Sequence, residues 1–210
     1  MPQGHDICFA TPMKQAKKLA LDFWVGALKS GRKFYKISDL MKVSGLGYAA
    51  CRMAAGRLAS KGILIRVGKE LYGNLLVNFT SEEAACQAYL PAYLSCEYAL
   101  SRYGVIDQMP TVLTAMTLMR GKRAKAGSIE VSYRHLRKNL FWGYVRDGDS
   151  FVAEPEKALL DWLYLGRKKL ETASLDEINW DELDLVKLKK YSTKFPKAVQ
   201  RHVRLYMASI

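Results

Sequence analysis

One stretch restricts the possible fold more than any other: FYKISDLMKVSGLGYAACRMAAGRLASKGILIRVGKELYG, from Phe34 to Gly73. Phe34–Ile37 is aromatic and β-branched and reads as a short strand. Ser38 then caps a brief helix, Asp39–Val43, because its hydroxyl can take a free backbone N–H. Ser44-Gly45 breaks the chain, and a second helix of about four turns runs from near Gly47 to Lys61. Gly62 stops it. Ile63–Val67 and Leu71–Leu76 are β-rich runs separated by Gly68-Lys69-Glu70, a hairpin signal with glycine in the loop. Upstream, Ala16, Leu19, Ala20, Phe23, Trp24, Ala27 and Leu28 recur at helical spacing, so Met13–Lys29 reads as a helix that follows Pro12 and ends at Gly31.

The phasing of the second helix sharpens this reading. At 100° per residue, Cys51, Ala54, Ala55 and Leu58 fall on one side, ready to pack on the first helices. The opposite side carries Ala49, Met53, Gly56 and Ser60, flanked by Arg52 and Arg57. Small residues there allow a close approach to a groove, and the arginines can reach phosphates or a guanine edge. Tyr48 opens the helix. Lys61, Arg66 and Lys69, the last at the hairpin tip, extend the basic stripe. Helix, turn, helix and basic hairpin in this order predict an N-terminal winged helix-turn-helix with the Tyr48–Lys61 helix in the major groove of DNA. The Arg66–Lys69 hairpin would touch the flanking backbone or minor groove. A winged helix that binds protein through a polar face is the plainer reading. Agreement between element order and charge favours DNA.

Charge is unevenly placed. The 210 residues carry a net +13. Residues 1–78 hold 13 Lys/Arg against 4 Asp/Glu, a net of +9, and residues 79–210 hold 20 against 16, a net of +4. Per residue the excess is about fourfold richer in the N-terminal part, the electrostatic footprint of a polyanion binder. Half the residues are hydrophobic, enough for a proper core. The most apolar runs, Leu71–Phe79 and Ala158–Leu165, are too short to cross a membrane. The N-terminal segment MPQGHDICFATPMKQAKK lacks the apolar core of a secretion signal, so a cytoplasmic location is expected. Cys8, Cys51, Cys86 and Cys96 form no CxxC pair and are expected reduced, with Cys51 and Cys96 buried inside helical patterns.

The joint to a second domain falls near Asn78–Glu82, giving expected domains 1–78 and 79–210. Thr80 or Ser81 caps a helix with Glu82 and Glu83 in its first turn, where acids suit the helix dipole. That helix continues to Tyr89, and Ser95–Tyr103 is another, closed by Gly104. Thr111–Thr117, Ser128–Tyr133, Phe141–Val145 and Phe151–Ala153 are strand-like, with turns at Gly121–Gly127 and Asp147–Asp149. Pro155 opens a helix whose Lys157–Leu165 portion is apolar nearly all round and therefore buried. Leu175–Asn179, Leu183–Tyr191 and Lys197–Met207 are helical. The fold class expected is α+β, a winged helix-turn-helix followed by a mixed α+β C-terminal domain.

Three segments together resemble the AbiEi-like antitoxin family of type IV toxin–antitoxin systems: LIRVGKELYG at the end of the first domain, YLSCEYALSRYGVID (Tyr93–Asp107), and VAEPEKALLDWLYL (Val152–Leu165), with TVLTAMT and FWGYV between them. The resemblance covers roughly residues 13–170, and the third segment is the most specific. It implies a winged helix that binds inverted repeats in its own promoter and represses the operon. It also implies a C-terminal domain that counteracts a nucleotidyltransferase-like toxin without a stable complex. Residues 1–12 and the lysine- and arginine-rich final helices, with Lys187, Lys189, Lys190, Lys194, Lys197, Arg201 and Arg204, match nothing in that pattern. A solitary regulator without an antitoxin role is the alternative.

Two other classes compete. Glu154, Glu156 and Asp161 are close in sequence, and paired carboxylates can bind a metal or act as acid and base in a nucleic-acid-processing enzyme. Only Glu154 and Asp161, seven apart, should share a helix face. Acids at a helix N-terminus more simply cap free N–H groups, and a buried Asp can bond nearby backbone. His5, His135 and His202 lie in no ligand spacing, and His135 belongs to a basic surface stretch. The segment Arg120–Gly127 reads as a flexible basic loop of the kind that an RNA binder would use. Phe141 and Gly143 should face one way and Trp142 and Tyr144 the other, so most of these rings should be core. No catalytic residue, metal ligand or cofactor is expected. The expected partner is double-stranded DNA.

Overall fold

The computed structural model describes residues 21–29, 31–166 and 178–208. Among them the chain is mixed α+β, with eight α-helices and two sheets. Contacts divide it into two units. One reaches to Ile65 and includes Glu70–Asn78; the other comprises Arg66–Lys69 and the chain from Phe79 onward.

The first unit begins with α1 (Leu21–Lys29), the described end of the helix expected from Met13. Gly31 follows because no side chain fits there: a Cβ would lie 1.8 Å from the Tyr35 hydroxyl. That hydroxyl accepts the Arg32 N–H at 2.9 Å. β1 is Phe34–Lys36 and α2 is Ile37–Ser44. α2 thus starts before Ser38, the expected cap. Lys36 is the N-cap, and the Asp39 carboxylate accepts its backbone N–H at 2.9 Å, so an acid one turn in serves the helix start. Gly45 closes α2 with φ +67°, a left-handed conformation that favours glycine, and sends its N–H to Met41 O at 2.8 Å. α3 (Tyr48–Ser60) follows, then the hairpin strands β2 (Leu64–Gly68) and β3 (Leu71–Asn74). β3 lies between β1 and β2, with Tyr35 opposite Tyr72 in an antiparallel register.

The core of this unit gathers Trp24, Leu28, Tyr35, Ile37 and Leu40 with Cys51, Ala54, Ala55 and Leu58 of α3 and with Ile63, Leu64 and Tyr72. The α3 residues in that list are the four that helical phasing places on the inner side. Buried Asn74 ties the unit together: its amide donates to Leu28 O at 2.8 Å and Arg32 O at 3.2 Å, joining β3 to the end of α1 and the turn after it.

The second unit is built on a six-stranded sheet in the order β6-β7-β5-β4-β9-β8. α4 (Ser81–Ala88) is capped by Thr80, whose hydroxyl accepts Glu83 N–H while Glu83 accepts Thr80 N–H. β4 (Ala92–Leu94) precedes α5 (Glu97–Arg102), which lies within the stretch read as helix, Ser95–Tyr103. Cys96 is the N-cap of α5, at φ +56°, rather than a residue inside a helix, though it is buried as expected. β5 (Leu113–Thr117), β6 (Lys122–Ala126) and β7 (Ile129–His135) follow. A 3-10 turn, Lys138–Leu140, leads to β8 (Tyr144–Asp147) and β9 (Ser150–Ala153).

α6 (Pro155–Leu165), α7 (Leu185–Ser192) and α8 (Lys197–Met207) complete the unit. The helix expected at Leu175–Asn179 falls largely outside the described residues, and Asn179 caps a 3-10 turn, Trp180–Glu182. The register assigns the faces. Tyr93 pairs with Met116 and Tyr133 with Ala115, so the two tyrosines point to opposite sides of the sheet. Tyr133 donates to Ala85 O of α4, and Tyr93 reaches Asp161 of α6. α4 and α6 therefore cover opposite faces. No described helix is long and apolar enough to cross a membrane.

Candidate nucleic-acid interface

Ala49, Met53, Gly56 and Ser60 are all exposed on α3, with Arg52 and Arg57 exposed beside them and Lys61 just past the helix end. Met53 is 68% exposed, a thioether that no packing explains. Arg52, Arg57 and Lys61 have no ion-pair partner among the described residues. The centre of the face is nearly flat. A Cβ built on Gly56 meets nothing within 4 Å.

Tyr48 starts the helix and its hydroxyl donates to Glu70, which holds the phenol above its ordinary pKa. Glu70 itself is fixed because its carbonyl accepts Ile37 N–H at 3.1 Å. The tyrosine tether thus orients the first turn of α3 against the start of β3. Arg66 and Lys69 are exposed too, but the segment Arg66–Lys69 groups with the second unit and not with α3. Of the ten candidate residues, the structure brings eight together on one helix and its end. The hairpin pair is not among them.

The three acids do not form a site together. Glu154 precedes Pro155 at the start of α6 and accepts the Tyr191 hydroxyl at 2.8 Å. Glu154 and Glu156 converge on Lys187, at 3.1 and 2.9 Å. Burial pulls the Lys187 ammonium down, but its bonds to Glu156 and Glu154 outweigh this and hold it above its ordinary pKa. Glu156 also accepts Asp184 N–H at 3.1 Å, which pins the start of α7.

Asp161 points elsewhere, so the expected shared face with Glu154 does not form. Its partners are side chains, not nearby backbone: Tyr93 Oη donates at 2.8 Å, Ser95 Oγ at 2.9 Å, and Lys157 forms an ion pair with it. Lys157 also donates to Tyr93 Oη at 2.8 Å. Asp161 and Lys157 are both 0% exposed. Burial pushes Asp161 up, against Lys157; burial likewise pulls Lys157 down, against Asp161. Every carboxylate of the trio is engaged by partners from another element. Sequence spacing carries no sign of Tyr93 or Ser95 in this network, because they lie 68 and 66 residues away.

The basic segment Arg120–Gly127 is not a loop. Lys122–Ala126 forms β6, the sheet's edge strand, paired antiparallel with β7. The rings near residue 141 also depart from strand alternation, since Phe141–Gly143 lies between the 3-10 turn and β8. Phe141 and Tyr144 both pack on Tyr93, at 5.0 and 4.6 Å, while Trp142 packs on Tyr191 and Phe195. All three are half-buried, and Tyr133 is buried. His135 is exposed, with Nδ1 3.1 Å from Met119 O. No protein-family model and no curated protein matches the chain.

Proposed function

We propose that this chain is a DNA-binding regulator that docks through a winged helix-turn-helix in its first unit. The observation that carries the reading is the exposed face of α3. Small residues at its centre let a helix approach a groove floor, and two arginines without carboxylate partners stand at its edges. The order helix, strand, helix, helix, hairpin, with β3 between β1 and β2, supports the winged-helix assignment. The first unit's charge supplies the long-range attraction. Arg66–Lys69 group with the second unit, so α3 is the centre of the contact.

The resemblance to AbiEi-like antitoxins extends the proposal. The chain would repress its own promoter through inverted repeats and counteract a nucleotidyltransferase-like toxin through its second unit, without a stable complex. No turnover is assigned to it. Affinity for a duplex carrying its own promoter should fall steeply between about 50 and 200 mM salt, with a log–log slope of about −0.9 per phosphate contact. A flat salt response would contradict electrostatic docking. Co-expression with the product of the neighbouring reading frame separates the two regulatory roles. Relief of toxicity by the full chain supports the antitoxin role; no relief leaves a plain regulator.

A further inference from the structure

The C-terminal helix pair carries charge that neither the α3 face nor the buried networks use. Residues 185–208 contain seven Lys/Arg and no Asp or Glu. Lys187 is held by Glu154 and Glu156. The other six, Lys189, Lys190, Lys194, Lys197, Arg201 and Arg204, are all exposed, and none has a carboxylate partner among the described residues. Lys194 is also 4.3 Å from the centre of the Trp142 ring.

This is not the pattern of an ordinary solvated face. Such faces mix signs and place Glu four residues before Lys, which stabilises the helix. Here Lys197 and Arg201 are like charges four apart on α8, and Arg201 and Arg204 are three apart, while Lys190 lies in the last turn of α7 and Lys194 in the turn after it. On α8, Lys197, Arg201 and Arg204 fall on one narrow stripe. Lys197 also stands in the first turn of α8, where a cation opposes the helix dipole, and α8 has no acid there; α7 is instead capped by Asp184, whose carboxylate accepts Lys187 N–H at 2.9 Å. The arrangement costs helix stability in isolation, and a polyanion relieves that cost.

The exposed residues of both helices narrow the class of polyanion. They include no aromatic side chain: Tyr191 is half-buried, and Phe195 and Tyr206 are buried. Single strands are held by bases stacked on exposed rings, and protein partners centre on aromatic anchors. A duplex backbone needs neither. It offers closely and evenly spaced charge at every register. We infer that the Lys197–Arg201–Arg204 stripe, continued by Lys189, Lys190 and Lys194, is a second, sequence-independent contact surface for the phosphate backbone of duplex DNA. The choice of DNA over an RNA duplex rests on the function proposed above.

The test titrates the full chain with a random-sequence DNA duplex and with the promoter duplex across a salt series. The triple variant Lys197→Ala/Arg201→Ala/Arg204→Ala should lose two to three units of phosphate contact, each worth about 0.9 in the log–log slope, on both duplexes alike. Its preference for the promoter over random sequence should be unchanged. A charge-keeping variant, Lys197→Arg/Arg201→Lys/Arg204→Lys, should keep the wild-type slope, which separates charge from folding. An unchanged slope in the alanine variant overturns the inference, as does equal loss in the charge-keeping variant. Tighter binding of single-stranded RNA or of an RNA duplex overturns it too. Arg52→Ala/Arg57→Ala is the companion measurement. If it leaves promoter preference intact while the alanine triple variant loses slope, the α3 reading fails and the C-terminal surface stands.

Discussion

At the scale of single residues, Asp161 decides between structure and chemistry. It is fully buried with two hydroxyls and one ammonium on it, and no room remains for a substrate. Asp161→Ala should therefore cost about 3–5 kcal/mol in denaturant unfolding, because it strands a buried ammonium at Lys157. Replacing the pair together, Lys157→Met/Asp161→Leu, should cost much less. An enzyme using Asp161 predicts the opposite: lost turnover with stability kept. Cys86 gives a second, pH-dependent test. Its thiol lies 3.7 Å from Phe151 O, and burial pushes its pKa up to about 11. The unfolded chain releases that proton near about 8.5. Stability from this group is thus intact below the lower value and falls as pH rises between the two, by up to about 1.4 kcal/mol per pH unit. Cys86→Ala should flatten the fall of the unfolding midpoint between those pH values; an unchanged slope would show that the folded thiol ionises normally.

At the scale of elements, what was legible in the sequence followed periodicity. α3 shows its inner face in Cys51, Ala54, Ala55 and Leu58, and α8 runs over the residues read for it, Lys197–Met207. β6 was hidden because Lys122, Arg123 and Lys125 are poor strand formers; its conformation comes from pairing with β7, a tertiary cause. β4 was missed for a related reason. Three residues after Pro91 carry little pattern, yet they sit in the middle of the sheet. The exposed side of α3 was legible as a face, while the Tyr48–Glu70 tether, 22 residues apart, was not. Gly56 tests what that face is for. It is exposed in mid-helix with open space around it, so Gly56→Ala should raise stability by about 0.5–1 kcal/mol in thermal or denaturant unfolding. Gly56→Leu should keep the fold by circular dichroism and weaken promoter binding, since bulk at the centre of the face blocks the groove. Full binding by the leucine variant would place the contact elsewhere.

At the scale of the molecule, the two units divide the basic charge in different ways. The first, residues 1–65 and 70–78, holds 11 Lys/Arg against 4 Asp/Glu, a net of +7, and displays Arg52, Arg57 and Lys61 around a flat helix face. The second holds 22 Lys/Arg against 16 Asp/Glu, a net of +6 over more residues. Several of its acids are internal: Glu156 and Asp161 are buried against lysines, and Glu154 shares Lys187. Its exposed cations include Arg120, Lys122, Arg123, Lys125, Arg134, Arg137 and Lys138 as well as the six between Lys189 and Arg204, and the latter stretch contains no Asp or Glu. A net-charge count over the whole chain masks this, because buried ion pairs and surface charge enter it equally. The central claim concerns α3. The most direct measurement is gel retardation of the chain's own promoter duplex by wild type and by Arg52→Ala/Arg57→Ala, with circular dichroism on both. The account predicts loss of the specific retarded band in the double variant with an unchanged spectrum. Retardation equal to wild type at the same protein concentration would contradict it.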